Sequence, residues 1–261
     1  MKAIHSRDNP VVKRARRLLA ARGRREEGCF LLEGLRLVRE ALAAGAQVEA
    51  FFATADFLAA HPEAEEWAAG VPAYLVGEPV MKSLSATESP PGILAICRCP
   101  RWELDRAVAP HSLLLVLDNV RDPGNAGTML RTAWAAGVEA VLLTTGTVDA
   151  FSPKVVRASM GAVLHLPLFE RAGEPLLAAL GERGCRFLVA DARGQRLYSQ
   201  ADYQGLVAVV MGSEATGPGP FFARAGAERV RIPLRAGVDS LNAAVACGII
   251  LYEAWEQRNG R

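Results

Sequence analysis

The sequence is poor in the groups that build the commoner enzyme sites. Only four histidines occur in 261 residues (His5, His61, His111 and His165), and no two approach the spacing of metal ligands. No serine–histidine–aspartate arrangement is suggested either, and no metal is expected. The five cysteines, Cys29, Cys97, Cys99, Cys185 and Cys247, are odd in number and form no C-x-x-C pair. That argues against a disulfide framework, and Cys97-x-Cys99 makes a poor zinc site, so reduced thiols in a cytoplasmic protein are expected. No uncharged apolar run is long enough to span a bilayer. The opening stretch "MKAIHSRDNPVVKRARR" lacks the apolar core of a signal peptide, so no membrane partner is expected. Glycine-rich phosphate loops are missing as well. There is no G-x-x-x-x-G-K-[ST], and where a dinucleotide fold would place G-x-G-x-x-G the chain reads "DPGNAG". A class I methyltransferase would need a glycine-rich first loop and an acid ending the next strand; here that strand ends Thr144-Thr145-Gly146.

What the chain does have is a hydrophobic half, enough to bury one large core or two modest ones. Its net charge of +2 conceals an asymmetry. Nine basic residues and a single acid, Asp8, fall between Met1 and Arg25. Such a cluster attracts a polyanion, and arginine forks pair with phosphate in bidentate fashion. Arg7, Lys13, Arg14, Arg16 and Arg17 are therefore candidate nucleic-acid ligands on a basic helix over about 9–22. The alternative is a solvated face balanced by Glu26 and Glu27.

Strand and helix patterns alternate after this helix, from "CFLLEG" and "LRLVREALAAG" to "GILAICR". "CPRWELDRAVAPHS" breaks the periodicity and reads as a linker. The expected organisation is an α/β domain over 1–99, a linker over 100–112 and a second α/β domain over 113–261. In the second domain the apolar runs "LLLVLDN", "EAVLLTT", "FLVADA", "LVAVVMGSE" and "RVRIPL" look like parallel strands covered on both faces. A helix starting at Asn125 should bury Ala126, Met129, Leu130, Ala133 and Trp134, with Arg131 outside that stripe. The last helix, from Ser240 to about Gln257, holds no charge between Ala243 and Tyr252 and should be buried nearly all round.

Three polar loops follow strands: "DNVRDPGNAGTMLR", "MGSEATGPGP" and "IPLRAGVDSLNAA". In that order they resemble the three sequence motifs of the SpoU/TrmH family, RNA ribose 2′-O-methyltransferases of the SPOUT superfamily. The resemblance covers roughly Leu113 to Gln257, and "EGLRLVREAL" suits that family's ribosomal-protein-like RNA-binding module. It implies an α/β SPOUT domain with a trefoil knot, S-adenosyl-L-methionine as cofactor and a homodimer with the apolar last helix near its axis. By the same resemblance Arg131, Asn125, Glu214, Ser240 and Asn242 form the catalytic set. Met211, Gly212, Ile232, Leu234 and Leu241 would contact the cofactor, with Leu143 and Thr144 closing its adenine pocket. A guanidinium stays protonated at ordinary pH, so Arg131 is read as holding the phosphate beside the target ribose and orienting the 2′-hydroxyl. Asn125 reads equally well as an N-cap. Large-subunit (23S) ribosomal RNA is favoured as the substrate. Transfer RNA, methylation of a base nitrogen, or a knot-domain RNA-binding protein without catalysis remain as alternatives.

Overall fold

A computed structural model describes residues 1–67, 70–213 and 217–260. The chain divides into two units, one of Met1–Pro100 with Phe151–Leu164, the other of Arg101–Ala150 with His165–Arg261. The first 100 residues form β1 (Lys2–Ile4), α1 (Pro10–Arg17), α2 (Ala21–Glu27), β2 (Cys29–Glu33), α3 (Leu35–Ala43), β3 (Val48–Ala53), α4 (Ala55–Ala60), α5 (Ala64–Trp67), β4 (Ala73–Val76), α6 (Glu78–Leu84) and β5 (Ile93–Arg98). Their sheet runs in the order β1-β4-β3-β5-β2. It is mixed: β5 lies antiparallel to both β2 and β3, while β1 and β3 lie parallel to β4. Three residues are too few to show a period, which is why β1 is invisible in the sequence pattern.

The single basic helix expected over 9–22 is two helices. Asn9 caps the first through its side chain, which accepts from the Val11 amide at 2.9 Å, with Pro10 at the first helical position. The chain then breaks at Leu18–Ala20, because Arg24 turns inward. Its guanidinium is buried and donates to the carbonyls of Leu18 (2.7 Å) and Leu19 (2.9 Å), satisfying groups that a continuous helix would have paired internally. Gly23 permits the close return, since a Cβ there would lie 2.0 Å from the Arg17 carbonyl oxygen.

Beyond residue 100 come α7 (Leu104–Ala107), β6 (Leu113–Asp118), α8 (Pro123–Ala135), β7 (Ala140–Thr144), α9 (Pro153–Ala158, part of the first unit), β8 (Leu168–Ala172), α10 (Glu174–Glu182), β9 (Arg186–Ala190), β10 (Arg196–Leu197), β11 (Val207–Gly212), α11 (Pro220–Arg224), β12 (Glu228–Arg231) and α12 (Ala243–Asn259). The seven strands of the second unit form a sheet in the order β10-β12-β9-β11-β6-β7-β8, parallel throughout. The five apolar runs are its inner strands. β8 and β10 were missed because they are edges: "LFERA" leaves its middle residues to solvent, and β10 has two residues. Every residue of β6 and β7 is buried, as a strand covered on both faces requires.

The last helix departs from expectation. It begins at Ala243 rather than Ser240, is capped by Asn242, and is not buried all round. Ala244, Cys247, Ile250, Leu251 and Ala254 face inward, whereas Val245 (53%), Tyr252 (48%) and Trp255 (43%) stand exposed. At its far end Arg258 donates to the carbonyls of His111 and Gly205, both at 2.6 Å, just ahead of β6 and β11. α12 therefore runs the height of the sheet, from its carboxyl rim at Asn242 to its amino rim at Arg258.

All five cysteines are free thiols. Burial pushes those of Cys97, Cys185 and Cys247 up to about 12, so they stay protonated and unreactive.

Candidate active site

Three neighbouring strands, β9, β11 and β12, end at the same rim. Gly212 is level with Asp118 of β6, and Val230 of β12 with Ala190 of β9. The strand order reverses beside them: from β6 the chain moves outward through β7 and β8, then returns to the other side. In parallel sheets such a reversal leaves a crevice over the carboxyl ends. A cleft of about 830 Å³ opens there, closed on one side by the first turns of α12. Met211, Gly212, Ile232, Leu234 and Leu241 all line it, together with Ser240 and Asn242.

Gly212 shows why the backbone turns so tightly. A Cβ at this position would meet the Pro218 nitrogen at 2.7 Å and the Gly217 carbonyl carbon at 2.8 Å. The returning loop is tied down twice: the Gly217 amide donates to the Ser213 carbonyl at 2.8 Å, and the Gly219 amide donates to Asp118 Oδ2 at 2.6 Å. Asp118 is buried and its other oxygen accepts from the Thr144 hydroxyl at 2.7 Å. Asp118→Ala should therefore cost about 2 kcal/mol of stability, because it strands a buried amide and a hydroxyl. Urea denaturation would show the midpoint falling, and Asp118→Asn, which keeps an acceptor, should lose less.

Leu143 and Thr144 are not at the cleft. They end β7, which β6 separates from β11. Leu143 is buried in the sheet, and Thr144 Oγ1 accepts from the Asn119 amide while donating to Asp118. Ala190–Arg193 at the end of β9 line the cleft instead, residues not among those expected from the sequence. The signal was present: "FLVADARG" is a parallel-strand pattern ending in charged residues, where ligand loops belong. Asp191 is held by Arg229 (2.9 Å) and by the Arg193 amide (2.9 Å), so this corner is rigid.

Among the expected catalytic residues, the structure joins two. Asn242 Nδ2 donates to Asn125 Oδ1 at 2.9 Å, linking the first turns of α8 and α12. Asn125 is not the cap of α8; that is Asp122, whose Oδ1 accepts from the Asn125 amide at 2.7 Å, with Pro123 following. Asn242 is the cap of α12, its Oδ1 accepting from Ala244 (2.9 Å) and Val245 (3.2 Å). One side chain thus ends the helix and holds Asn125. Ser240 is exposed at the mouth of the cleft. Arg131 is exposed on α8, outside the cleft lining, and forms no hydrogen bond or ion pair with the described residues. Glu214 lies outside the described residues. Among those described, no group of side chains could hold a metal ion, and no helix is long and apolar enough to cross a membrane.

The basic cluster divides. Arg14 is clamped by Glu27 and by Glu49, the latter at 2.6 Å, and these hydrogen bonds raise its pKa. Arg17 pairs with Glu26 at 2.9 Å, and Lys13 with the exposed Asp8 at 3.0 Å. Arg7 donates to the Pro79 carbonyl at 3.0 Å on the rim of a cavity of about 710 Å³ in the first unit. Arg16 is exposed, with no hydrogen-bond or ion-pair partner among the described residues. The balancing acids foreseen at Glu26 and Glu27 do claim part of this cluster, joined by Glu49. Arg14's hydrogen bond holds the Glu49 carboxyl below its usual range, against the opposing effect of burial. The clamp therefore stabilises the fold at neutral pH, and that stability is lost as pH falls through the lowered value.

A cleft of this size, walled by apolar side chains and closely turned backbone at the carboxyl rim of a parallel sheet, defines an α/β protein that takes a small-molecule cofactor. Residues 112–252 match the SpoU rRNA methylase family, and residues 9–95 match the MRM3-like substrate binding domain. An uncharacterised tRNA/rRNA methyltransferase of Synechocystis is 36% identical over 98% of this chain and 94% of its own length. The 23S rRNA (guanosine(2553)-2′-O)-methyltransferase RlmP of Bacillus subtilis is 32% identical over 97% of this chain and 98% of its own. An S-adenosylmethionine-bound rRNA methyltransferase from Sinorhizobium meliloti superposes with a TM-score of 0.86 at 33% identity, covering 97% of both chains. The protein belongs to the SpoU rRNA methylase family, whose members are S-adenosylmethionine-dependent. The cleft fits that cofactor: the close backbone approach of Gly212 to Gly217 and Pro218 leaves main chain rather than side chains along one wall, and Met211, Ile232, Leu234 and Leu241 offer apolar walls.

Proposed function

We propose that the protein methylates a ribose 2′-hydroxyl of large-subunit ribosomal RNA in the cytoplasm, with Gly212 and its apolar neighbours as the cofactor-contacting residues. The observation that carries this is the convergence of all three loops on one place. The second and third line the cleft, and Asn242 of the third holds Asn125 of the first. The names of the Bacillus relative and of the Sinorhizobium structure support ribosomal RNA over transfer RNA. The cofactor supplies an electrophilic methyl group on a sulfonium. The chain's task is to exclude water, hold the RNA strand and aim the 2′-oxygen. Arg131, exposed and uncommitted, holds the phosphate beside that ribose. Transfer of tritiated methyl from the cofactor to ribosomal RNA, followed by alkaline hydrolysis, tests the reading. An alkali-resistant dinucleotide is expected, and label released in mononucleotides would point to a base instead.

The active form in this reading is a homodimer built on the exposed face of α12, where Val245, Tyr252 and Trp255 would otherwise face water. The chain between β12 and α12 passes through a trefoil knot. Its support is that α12 follows β12 yet packs on α8, which follows β6 on the far side of β9 and β11.

RNA affinity falls to the first unit, where Arg16 and Arg7 are the better candidates. Arg16→Ala should weaken RNA binding and lower its log–log salt slope by roughly 0.7–0.9, the value of one lost phosphate contact. Arg14→Ala should leave that slope unchanged and lower the melting temperature, because it leaves Glu49 with Arg98 alone and Glu27 with only the longer contact to Arg17. Equal slopes for wild type and Arg16→Ala would remove Arg16 from the interface.

A further inference from the structure

Helix α8 buries Ala126, Met129, Leu130 and Ala133 completely. Trp134, four residues after Leu130, belongs to the same stripe by periodicity, yet it is 41% exposed. Its indole instead lies flat on the imidazole of His165, with ring centroids 4.2 Å apart and planes 8° from parallel. The large ring is thus held at the surface in one orientation, outside the core its sequence position would join. Trp134 is also three residues after Arg131, within one turn on the exposed side of the helix. Thr132 marks a different side: its Cγ2 lies 3.7 Å from where a Cβ of Gly248 on α12 would stand. Two residues further on, Trp134 is turned about 200° away from that contact.

We propose that Trp134, braced by His165, stacks an unpaired base of the RNA substrate next to the nucleotide whose phosphate Arg131 holds; this rests on the role given to Arg131 above. Proteins hold single-stranded nucleotides by pairing a cation for the backbone with a flat ring for the base, and here both stand one helical turn apart. The stack removes the rotational freedom of the indole before binding, so little ordering cost remains when a base arrives. A second copy of the chain is the weaker occupant. The apolar face it would cover belongs to α12, and Trp134 points away from α12.

The test uses the full chain, S-adenosylmethionine and large-subunit ribosomal RNA transcribed in vitro. Trp134→Ala should raise KM for RNA roughly tenfold or more, the loss of one stacked base, with kcat and cofactor Kd unchanged. Trp134→Phe should restore KM, since any aromatic face stacks. Tryptophan emission reports the contact directly. RNA should quench the wild type, and that component should vanish in Trp134→Phe, with Trp67, Trp102 and Trp255 as constant background. Identical quenching in wild type and Trp134→Phe, or an unchanged KM in Trp134→Ala, overturns the proposal. A change of oligomeric state in Trp134→Ala, read by sedimentation, overturns it too and assigns the ring to a contact between copies. Should the wild type transfer no methyl to this RNA, the functional reading fails separately. The quenching comparison, made on binding alone, still decides the platform.

Discussion

Replacing Arg131 with alanine is expected to abolish methyl transfer, by about a hundredfold or more, while S-adenosylmethionine affinity stays nearly unchanged. The expectation follows from position. Arg131 projects from α8 between buried Leu130 and half-buried Thr132, takes no part in the core, and lines none of the cleft that would hold the cofactor. Its loss should cost little stability. What it removes, in the function proposed, is a two-pronged grip on the RNA strand, and positioning of reacting groups is worth orders of magnitude in rate. Arg131→Lys retains the charge without the planar fork, so it should recover only part of the activity. Calorimetry for the cofactor and a methyl-transfer assay for the reaction separate the outcomes. Cofactor binding lost with RNA binding kept would place Arg131 at the cofactor and refute the phosphate role.

The second large effect is expected at Gly212. Its φ is not positive, so conformation is not what demands glycine; space is. A valine side chain would begin 2.7 Å from the Pro218 nitrogen, and the loop could retreat only by breaking the Gly217–Ser213 and Gly219–Asp118 hydrogen bonds. Gly212→Val should therefore lose cofactor binding by more than about tenfold, the equivalent of 1.4 kcal/mol, while the far-ultraviolet circular dichroism remains that of the wild type. Gly217 makes a useful contrast. Its φ of 67° is unfavourable to a side chain, but nothing lies within 4 Å of a Cβ there. Gly217→Ala should carry only the backbone cost of about 1 kcal/mol, with weaker loss of cofactor binding. Equal effects at the two glycines would mean that the cleft is not shaped by the close approach at Gly212.

Much of this architecture was legible along the chain because it is written in local periods. Continuous apolar runs marked the five inner strands of the parallel sheet. The i, i+3, i+4 spacing marked the buried side of α8, although the helix starts at Pro123, two residues before the expected Asn125. The order of three polar loops carried the family resemblance, and five of the residues expected at the cofactor do line one cleft. Tertiary structure decided the matters that depend on distant neighbours. Strand order set Leu143 and Thr144 one strand away from the cleft and brought the end of β9 into it, since sequence adjacency does not say which strands lie side by side. Glu49, thirty-five residues away, joined Glu27 in clamping Arg14, and Arg24 turned its charge onto two carbonyls. His165 drew Trp134 out of a stripe that helical periodicity assigned to the core. Period and composition act over a few residues, and they determined the elements and the chemistry available. Which charges remain uncommitted and which rings face solvent depends on contacts across the fold, and only the folded chain could decide them.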